Sequence, residues 1–143
     1  SFSRAGEHRR GGYYLRLEPG KVMMAGGFFN PEPADLLRIR KEFEMDASEI
    51  NAILNQTDFK KAFGGFRRDY EVKTSPKGFS KEDPNIELIR LKSFFVRHEY
   101  TDAEVHSPDF KDKLLAHYML LRPYFNYMSE VLTTDLNGVS LLK

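Results

Sequence analysis

The sequence predicts an α+β domain in which a small, mostly antiparallel sheet packs against helices on one side and a long, bent helix forms the C-terminal part. Three observations support this fold class. Two runs near the start are typical of sheet strands, the first by its alternation of apolar and polar residues. Apolar residues later recur every three or four positions, as on one face of a helix. Aromatic residues make up 13% of the chain, with 12 Phe and 7 Tyr, and favour a core of packed rings.

The two early runs predict a hairpin. Residues Tyr13–Glu18 alternate, and Pro19-Gly20 suits the centre of a type II turn. Lys21–Phe29 is apolar on both sides as far as Gly26-Gly27, and this glycine pair indicates a bulge or a close approach by another backbone. Two further strands are predicted over Arg68–Thr74 and Phe94–Val96, with Arg97–Glu99 leaving the second.

Helices are predicted between and after these strands. Pro33 suits the first turn of one helix, and Asp46, three residues before a glutamate, resembles a capping box for the next. Ser107 and Pro108 open the last and longest helix, with Ser107 as the N-cap. Pro123 falls on its polar side and is expected to bend it, convex toward solvent. Shorter helices are predicted over Thr57–Phe63 and after Pro84.

Composition argues against several classes of function. The 22 basic and 21 acidic residues leave a net charge of +1, which argues against a nucleic-acid partner. The chain has no cysteine, which excludes disulfides, thiolate catalysis and cysteine zinc sites and fits a reducing compartment, so we expect a cytoplasmic location. No apolar run is long enough to cross a membrane, so no membrane partner is expected.

The length predicts a single domain over residues 1–143, enough to bury a core. Residues Ser1–Gly12 carry three glycines and several basic side chains and are expected to form a mobile loop. No signal peptide is visible, and the first residue is Ser1 where a complete chain would begin with Met. We therefore expect the chain to be a fragment of a longer protein.

Three stretches, taken in order, resemble the DUF2461 family, and the resemblance runs over essentially the whole chain. Each stretch alone is short, but their order and spacing together are fairly specific. They are Gly12-Tyr13-Tyr14-Leu15-Arg16-Leu17-Glu18-Pro19-Gly20 followed by Ala25-Gly26-Gly27, then Pro76-Lys77-Gly78-Phe79, and then Leu91-Lys92-Ser93-Phe94.

This resemblance implies a protein with no assigned function, from a family found in bacteria and fungi. Family members are longer, so the resemblance implies that this chain corresponds to their C-terminal two-thirds and lacks their N-terminal part. Any site within the chain is then incomplete if the upstream part contributes residues to it. The family brings no established reaction, cofactor or partner.

The turn around Lys77 and Gly78 is the first candidate site. A lysine beside a glycine presents a cation together with open backbone donors, which suits an anionic group. The alternative is an ordinary turn with Lys77 in solvent, since turn chemistry alone explains the proline and the glycine. No phosphate-binding Gly-x-x-x-x-Gly-Lys motif occurs in the chain.

Several other basic residues would form an anion-binding patch if folding brought them to the same face. The fork of an arginine side chain suits phosphate or carboxylate. The alternative is scattered surface charge balanced by the acidic residues. The leading hypothesis is therefore a domain that binds a small anionic ligand near Lys77, Gly78, Lys92 and Arg38. The remaining candidates for the patch are Arg40, Arg67, Arg68 and Arg97.

Two other classes of function stay open. A metal-dependent hydrolase would use His98 and His106 with nearby acids, but nothing in the sequence fixes a third ligand, so no metal or cofactor is predicted. The remaining histidines, His8 and His117, add no ligand spacing, and His117 is expected half-buried on the last helix. No serine or cysteine nucleophile motif is present. A protein-interaction domain is the other alternative, because the excess of aromatic residues would supply an exposed apolar patch.

Overall fold

The computed structural model describes residues 2–3, for the backbone alone, and residues 11–141. Their sheet is antiparallel, and its four strands lie side by side in chain order. The predicted hairpin is confirmed, and Gly20 at its turn has a φ of +82°, as the third position of a type II turn requires. The strands are β1 (Phe2–Ser3), β2 (Gly12–Glu18), β3 (Lys21–Phe28) and β4 (Phe94–Thr101).

The fourth strand is longer than predicted. The expectation that the chain leaves the sheet over Arg97–Glu99 is wrong, because these residues continue the pairing with β3. Arg97 lies opposite Ala25, and Glu99 lies opposite Met23. The charged side chains that ended the apolar run stand on a strand whose other side is buried. The switch from apolar to charged residues therefore reflects greater exposure to solvent and does not end the strand.

The strand predicted over Arg68–Thr74 is wrong. This segment makes a single antiparallel bridge, Glu71 with Leu91. The amide of Val72 donates to the Arg90 carbonyl oxygen at 2.8 Å, and the amide of Lys92 donates to the Tyr70 carbonyl oxygen at 3.0 Å. The alternation that suggested a strand spans only two apolar residues, too few to distinguish a strand from an extended loop.

The glycine pair in β3 allows a close approach, the second of its two predicted roles. A Cβ atom on Gly26 would lie 2.5 Å from the side chain of Leu121. A Cβ atom on Gly27, whose φ is +148°, would lie 2.4 Å from the Phe94 carbonyl oxygen. The pairing register runs unbroken through both glycines, so there is no bulge between β3 and its neighbours.

Helices fill most of the remaining described chain. Three of them follow the hairpin, and Pro33 occupies the first turn of the first, as predicted. The long C-terminal helix is bent, as predicted, and the bend interrupts it at Leu121, so that it consists of two helices. Pro123 is exposed just after this break. The helices are α1 (Pro33–Met45), α2 (Ser48–Asn55), α3 (Thr57–Phe63), α4 (Ile86–Ile89), α5 (Asp102–Val105), α6 (Phe110–Leu120) and α7 (Arg122–Thr133).

Two predicted helix starts are wrong. Asp46 forms no capping box with Glu49, because its carboxylate accepts from the amide of Ser48 at 2.9 Å in a turn that precedes α2. Ser107 is not an N-cap, since Ser107 and the following Pro108 lie in a turn and α6 begins at Phe110. The capping box instead belongs to the short helix α5, which the sequence prediction missed.

One core joins the sheet to the helices. Alternate residues of β3 and β4, among them Met24, Val96 and Tyr100, pack with buried residues of α1 and α7, which include Phe43 and Phe125. The sheet therefore has helices on one side, as predicted. No helix within the described residues is long and apolar enough to span a membrane.

Candidate functional site

Arg38, one of the predicted site residues, joins α1 to the end of α7. Its Nε donates to the Thr134 carbonyl oxygen at 3.0 Å, and an Nη donates to the Asp135 carbonyl oxygen at 3.1 Å. The other Nη lies 2.9 Å from the Glu42 carboxylate, as an ion pair without hydrogen-bond alignment. Arg38 is therefore held in place by backbone groups that lie 96 and 97 positions further along the chain.

Arg40 lies only two residues further along α1 but points into the core. Its Nε donates to the Ile89 carbonyl oxygen at 2.8 Å, and an Nη donates to the Leu91 carbonyl oxygen at 3.0 Å. The residue is 9% exposed, and burial lowers the pKa of its guanidinium. These bonds satisfy carbonyl groups at and beyond the end of α4. Arg40 thus ties the loop that precedes β4 to α1.

The Lys77 turn has the geometry that its sequence suggested. The amide of Phe79 donates to the Pro76 carbonyl oxygen at 3.1 Å, and Gly78 between them has a φ of +90°. Pro76 and Phe79 are buried, which leaves Lys77 and Gly78 exposed at the tip. The turn lies beside α1, because the ammonium of Lys41 is 5.0 Å from the centre of the Phe79 ring.

The two candidates in or next to β4, Lys92 and Arg97, are held by fewer contacts than Arg38 and Arg40. Lys92 is exposed beside Leu91, whose carbonyl oxygen accepts from Arg40. Arg97 is half-buried on β4, 3.8 Å from the Glu99 carboxylate. The fold thus brings Arg40 next to Lys92, and the Lys77 turn next to α1. Arg38 reaches a different side of α1, and anion binding by these residues stays a prediction.

The remaining arginines of the predicted patch are paired with acids. Arg67 lies 3.5 Å from Asp69, and Arg68 lies 2.7 Å from Glu71. The same Glu71 carboxylate lies 2.8 Å from Arg90. This network pins the loop after α3 to the end of α4. Charges that are already paired with carboxylates offer less to an anionic ligand.

Two of the histidines meet inside the fold. The rings of His98 and His117 have centres 4.2 Å apart, and His117 Nδ1 is hydrogen-bonded to the Tyr100 hydroxyl. His98 Nδ1 donates to the Ala62 carbonyl oxygen at 2.7 Å. Burial lowers the pKa of His117, and the neighbouring His98 lowers it further. Burial likewise raises the pKa of Tyr100. His117 therefore favours its neutral imidazole.

The hydrolase hypothesis receives no metal site from this arrangement. His106 is exposed directly after the end of α5, 3.6 Å from the Asp102 carboxylate, and makes no contact with His98 within the described residues. Over residues 11–141, no three histidine, aspartate or glutamate side chains come together in a way that would hold a metal ion. His8 lies outside the described residues.

The fold contains a cavity, lined by both polar and apolar residues, that the sequence prediction missed. It has a volume of about 250 Å³ and lies where α1, α2, α7 and the C-terminal turn (residues 134–138) meet, and we call it the Arg38 cavity. Its walls hold four carboxylates, one guanidinium and one phenol. The residues that line it are Arg38, Glu42, Met45, Glu49, Tyr127, Glu130, Val131, Thr134, Asp135, Leu136 and Gly138.

Tyr127 is the unusual residue of this cavity. It is only 6% exposed, and its buried hydroxyl has no hydrogen-bond partner among the residues that the structure describes. Burial raises the pKa of this hydroxyl, and the charges of Glu42 and Glu49 raise it further. Both glutamates line the same cavity as Tyr127. In the sequence, Tyr127 follows Tyr124 and precedes Val131 at helical spacing, as one ring of an apolar stripe. The polar residues Glu130 and Thr134, at helical spacing from it, were the signal available in the sequence.

Apolar surfaces are also present. A groove of about 390 Å³ lies at the break between α6 and α7, lined by Ile53, Phe59, Met119 and Pro123 among others. On the sheet face that points away from the core, the Phe29 ring lies 5.1 Å from Tyr14 and 4.6 Å from Phe95, between ring centres. These surfaces are compatible with the protein-interaction hypothesis, which stays a prediction.

Comparison with known proteins gives one match. No curated protein and no solved structure matches the chain. The model of one family, described as a conserved hypothetical protein (DUF2461), matches residues 1–127 of the 143. The matched range contains the hairpin, the Lys77 turn and five of the eleven residues that line the Arg38 cavity. The chain belongs to the DUF2461 family, whose function is unknown.

Proposed function

We propose that this chain is a small-ligand-binding domain and that its ligand occupies the Arg38 cavity. The observation that carries the proposal is the buried hydroxyl of Tyr127, which has no hydrogen-bond partner in the described part of the chain. Leaving such a group unpaired in a protein interior costs about 1–3 kcal/mol. A ligand that bonds to it recovers this free energy, and the hydroxyl therefore favours an occupied cavity over an empty one.

The anchoring of Arg38 supports the proposal. Its bonds to the carbonyl oxygens of Thr134 and Asp135 hold the C-terminal turn against α1. The cavity wall is therefore ordered before any ligand arrives, which lowers the entropic cost of binding. Arg38 itself was a predicted ligand residue, and its proposed role is now to fix the shape of the site.

The size of the cavity limits the ligand. A volume of about 250 Å³ equals that of about eight water molecules at about 30 Å³ each. This is slightly below the range of pockets that bind drug-sized molecules, which begins at about 300 Å³. The proposed ligand is therefore a small metabolite, with polar groups that match the polar residues of the lining.

A thermal-shift screen of small metabolites against the protein tests this function. At roughly one hundred times its Kd, a ligand stabilises the fold by about 2.7 kcal/mol. For a chain of this size, that raises the Tm by about 5–10 °C. We expect Tyr127→Phe to reduce this rise, because it removes only the buried hydroxyl. The matched control is Tyr70→Phe, which removes the hydroxyl of a tyrosine that is 56% exposed in a loop.

Two results would contradict the proposal. One is a screen in which no small metabolite raises the Tm. The other is a ligand that raises the Tm of the protein and of Tyr127→Phe equally, since binding would then lie elsewhere.

Anion binding at the Lys77 turn is a second candidate function. It is favoured because neither the Lys77 nor the Lys92 ammonium has an ion-pair partner within residues 11–141, and Gly78 leaves the backbone of the turn open. The double substitution of Lys77 and Lys92 by alanine, screened against phosphates and carboxylates, tests it. Equal thermal shifts for this variant and the parent would rule it out.

We also propose a bacterial origin and a cytoplasmic location. The absence of cysteine fits a reducing compartment. Detection of the native protein in the soluble fraction of a bacterial lysate supports the proposal, and recovery from the periplasm contradicts it.

A further inference from the structure

The charges of the Arg38 cavity are strongly unequal. Glu42, Glu49, Glu130 and Asp135 contribute four carboxylates to its lining, while Arg38 contributes one guanidinium. This excess matters because the chain as a whole is almost neutral, with a net charge of +1. The cavity is therefore a local concentration of negative charge, where a cation gains and an anion loses electrostatic free energy.

Arg38 does not offset this excess toward a ligand. Its guanidinium is occupied by the carbonyl oxygens of Thr134 and Asp135 and by the carboxylate of Glu42. The side-chain charge that would attract an anion is thus already used by protein groups. A ligand that enters the cavity meets the arginine from the side that its partners leave uncovered.

The carboxylates differ in whether protein groups already bind them or leave them open to a ligand. Asp135 accepts from the amides of Asn137 and Val139, each at 2.9 Å, within its own turn. The carboxylates of Glu49 and Glu130 have neither a hydrogen bond nor an ion pair in the part of the chain that the structure describes. Glu49 lies at the start of α2 and Glu130 on α7, so these two groups border the cavity from different elements.

Tyr127 adds a second and independent feature. The residue is more than nine-tenths buried, and its hydroxyl has no hydrogen-bond partner within the described residues. Tyr127 lines the cavity together with Glu42 and Glu49. Burial raises the pKa of this hydroxyl, so it is neutral at physiological pH. A neutral phenol can accept a hydrogen bond from an ammonium, and a carboxylate forms a charge-assisted bond with the same group.

We infer that the ligand of the Arg38 cavity is a small organic amine in its ammonium form, held by the carboxylates of Glu49 and Glu130 and by the hydroxyl of Tyr127. This inference rests on the proposed function, since it names the chemical class of the ligand at the same site. It goes against the predicted charge of the ligand, because the predicted site at Lys77 would take an anion.

The experiment is a calorimetric titration with short straight-chain amines, alcohols and carboxylates of matched length. We expect amines alone to bind, and to bind more weakly as salt increases, because salt screens the carboxylates. The double variant Glu49→Gln/Glu130→Gln should weaken amine binding by at least about tenfold. Glu82→Gln is the matched control, since Glu82 is an exposed glutamate in the loop before α4, and it should leave the affinity unchanged.

The outcomes separate this inference from the proposed function. If alcohols or carboxylates bind as tightly as amines, and Tyr127→Phe weakens them, the cavity is a ligand site and the inference about charge is wrong. If amines bind equally well to the double variant and to the parent, the inference is also wrong. If no probe binds and the metabolite screen finds no ligand, both the inference and the proposed function fail.

Discussion

Two pairs of like residues, one on α1 and one on α7, separate the core of this protein from its candidate site. Arg40 and Tyr124 use their polar groups on core backbone, with Tyr124 donating to the Phe94 carbonyl oxygen at 2.6 Å. Arg38 and Tyr127, two and three residues away along the same helices, line a cavity. The same residue types therefore serve the architecture on one side of the helices and an open site on the other.

The difference teaches which buried polar groups indicate function. A buried group that is fully bonded within the protein is explained by folding, and its removal weakens the fold. A buried hydroxyl without a partner weakens the fold by its presence and so requires another explanation. In this molecule Tyr124 is of the first kind and Tyr127 is of the second.

The largest effect is expected from Arg40→Met. The substitution keeps an apolar side chain in place but leaves the carbonyl oxygens of Ile89 and Leu91 without their donor. We expect a loss of about 2–3 kcal/mol in the free energy of unfolding, measured by urea denaturation. Arg122→Met, at the exposed start of α7, is the control and should stay within about 0.5 kcal/mol. Equal effects of the two would mean that Arg40 does not support the core.

Tyr124→Phe should have the next largest effect. It deletes the donor to Phe94 inside a closely packed region and leaves the carbonyl oxygen there with fewer partners. We expect a loss of about 1–2 kcal/mol in the free energy of unfolding. The same denaturation measurement applies, and no loss would remove the contrast with Tyr127.

The histidine pair should make stability depend on pH. Burial and the nearby His98 lower the pKa of His117, against the opposing charge of Glu104. The unfolded chain binds a proton at this histidine near about pH 6.5, while the folded chain keeps it neutral. Its contribution to stability is therefore complete above about pH 6.5 and decreases as the pH falls below that value. Urea denaturation from neutral to acidic pH should show a shallower decline for His117→Gln than for the parent, and parallel declines would contradict this.

The smallest effect on the unliganded protein is expected from Tyr127→Phe. Because the hydroxyl has no partner, its removal breaks no bond within the described residues. We expect the free energy of unfolding to change by less than about 0.5 kcal/mol, or to rise. A loss as large as that of Tyr124→Phe would mean that this hydroxyl is bonded within the fold.

Local sequence patterns predicted most of the architecture. The hairpin and the helix that begins at Pro33 are specified by neighbouring residues, through alternation, turn chemistry and helical spacing. The segment Arg68–Thr74 was misassigned because its partner is the backbone around Leu91, and sequence alone does not reveal which segments will meet. The same limit hid the continuation of β4 through Arg97, whose pairing with β3 outweighs its charge.

The candidate site was predictable only in part. Arg38 was identified as a functional candidate, but its partners Thr134 and Asp135 lie at the other end of the chain. Tyr127 looked like any other ring of an apolar stripe, since a missing hydrogen bond is visible only after folding. The sequence shows which residue types could bind a ligand. Only the folded structure shows which of them lie close together and which polar groups lack a hydrogen bond.

The most direct test of the cavity as the ligand site is a two-dimensional NMR titration of the ¹⁵N-labelled protein with the amine that binds most tightly. We predict that the amide signals that shift most belong to the cavity walls, including Glu49, Tyr127 and Thr134. Changes confined to the Lys77 turn, or to the apolar groove beside Met119, would contradict the assignment of the Arg38 cavity as the ligand site.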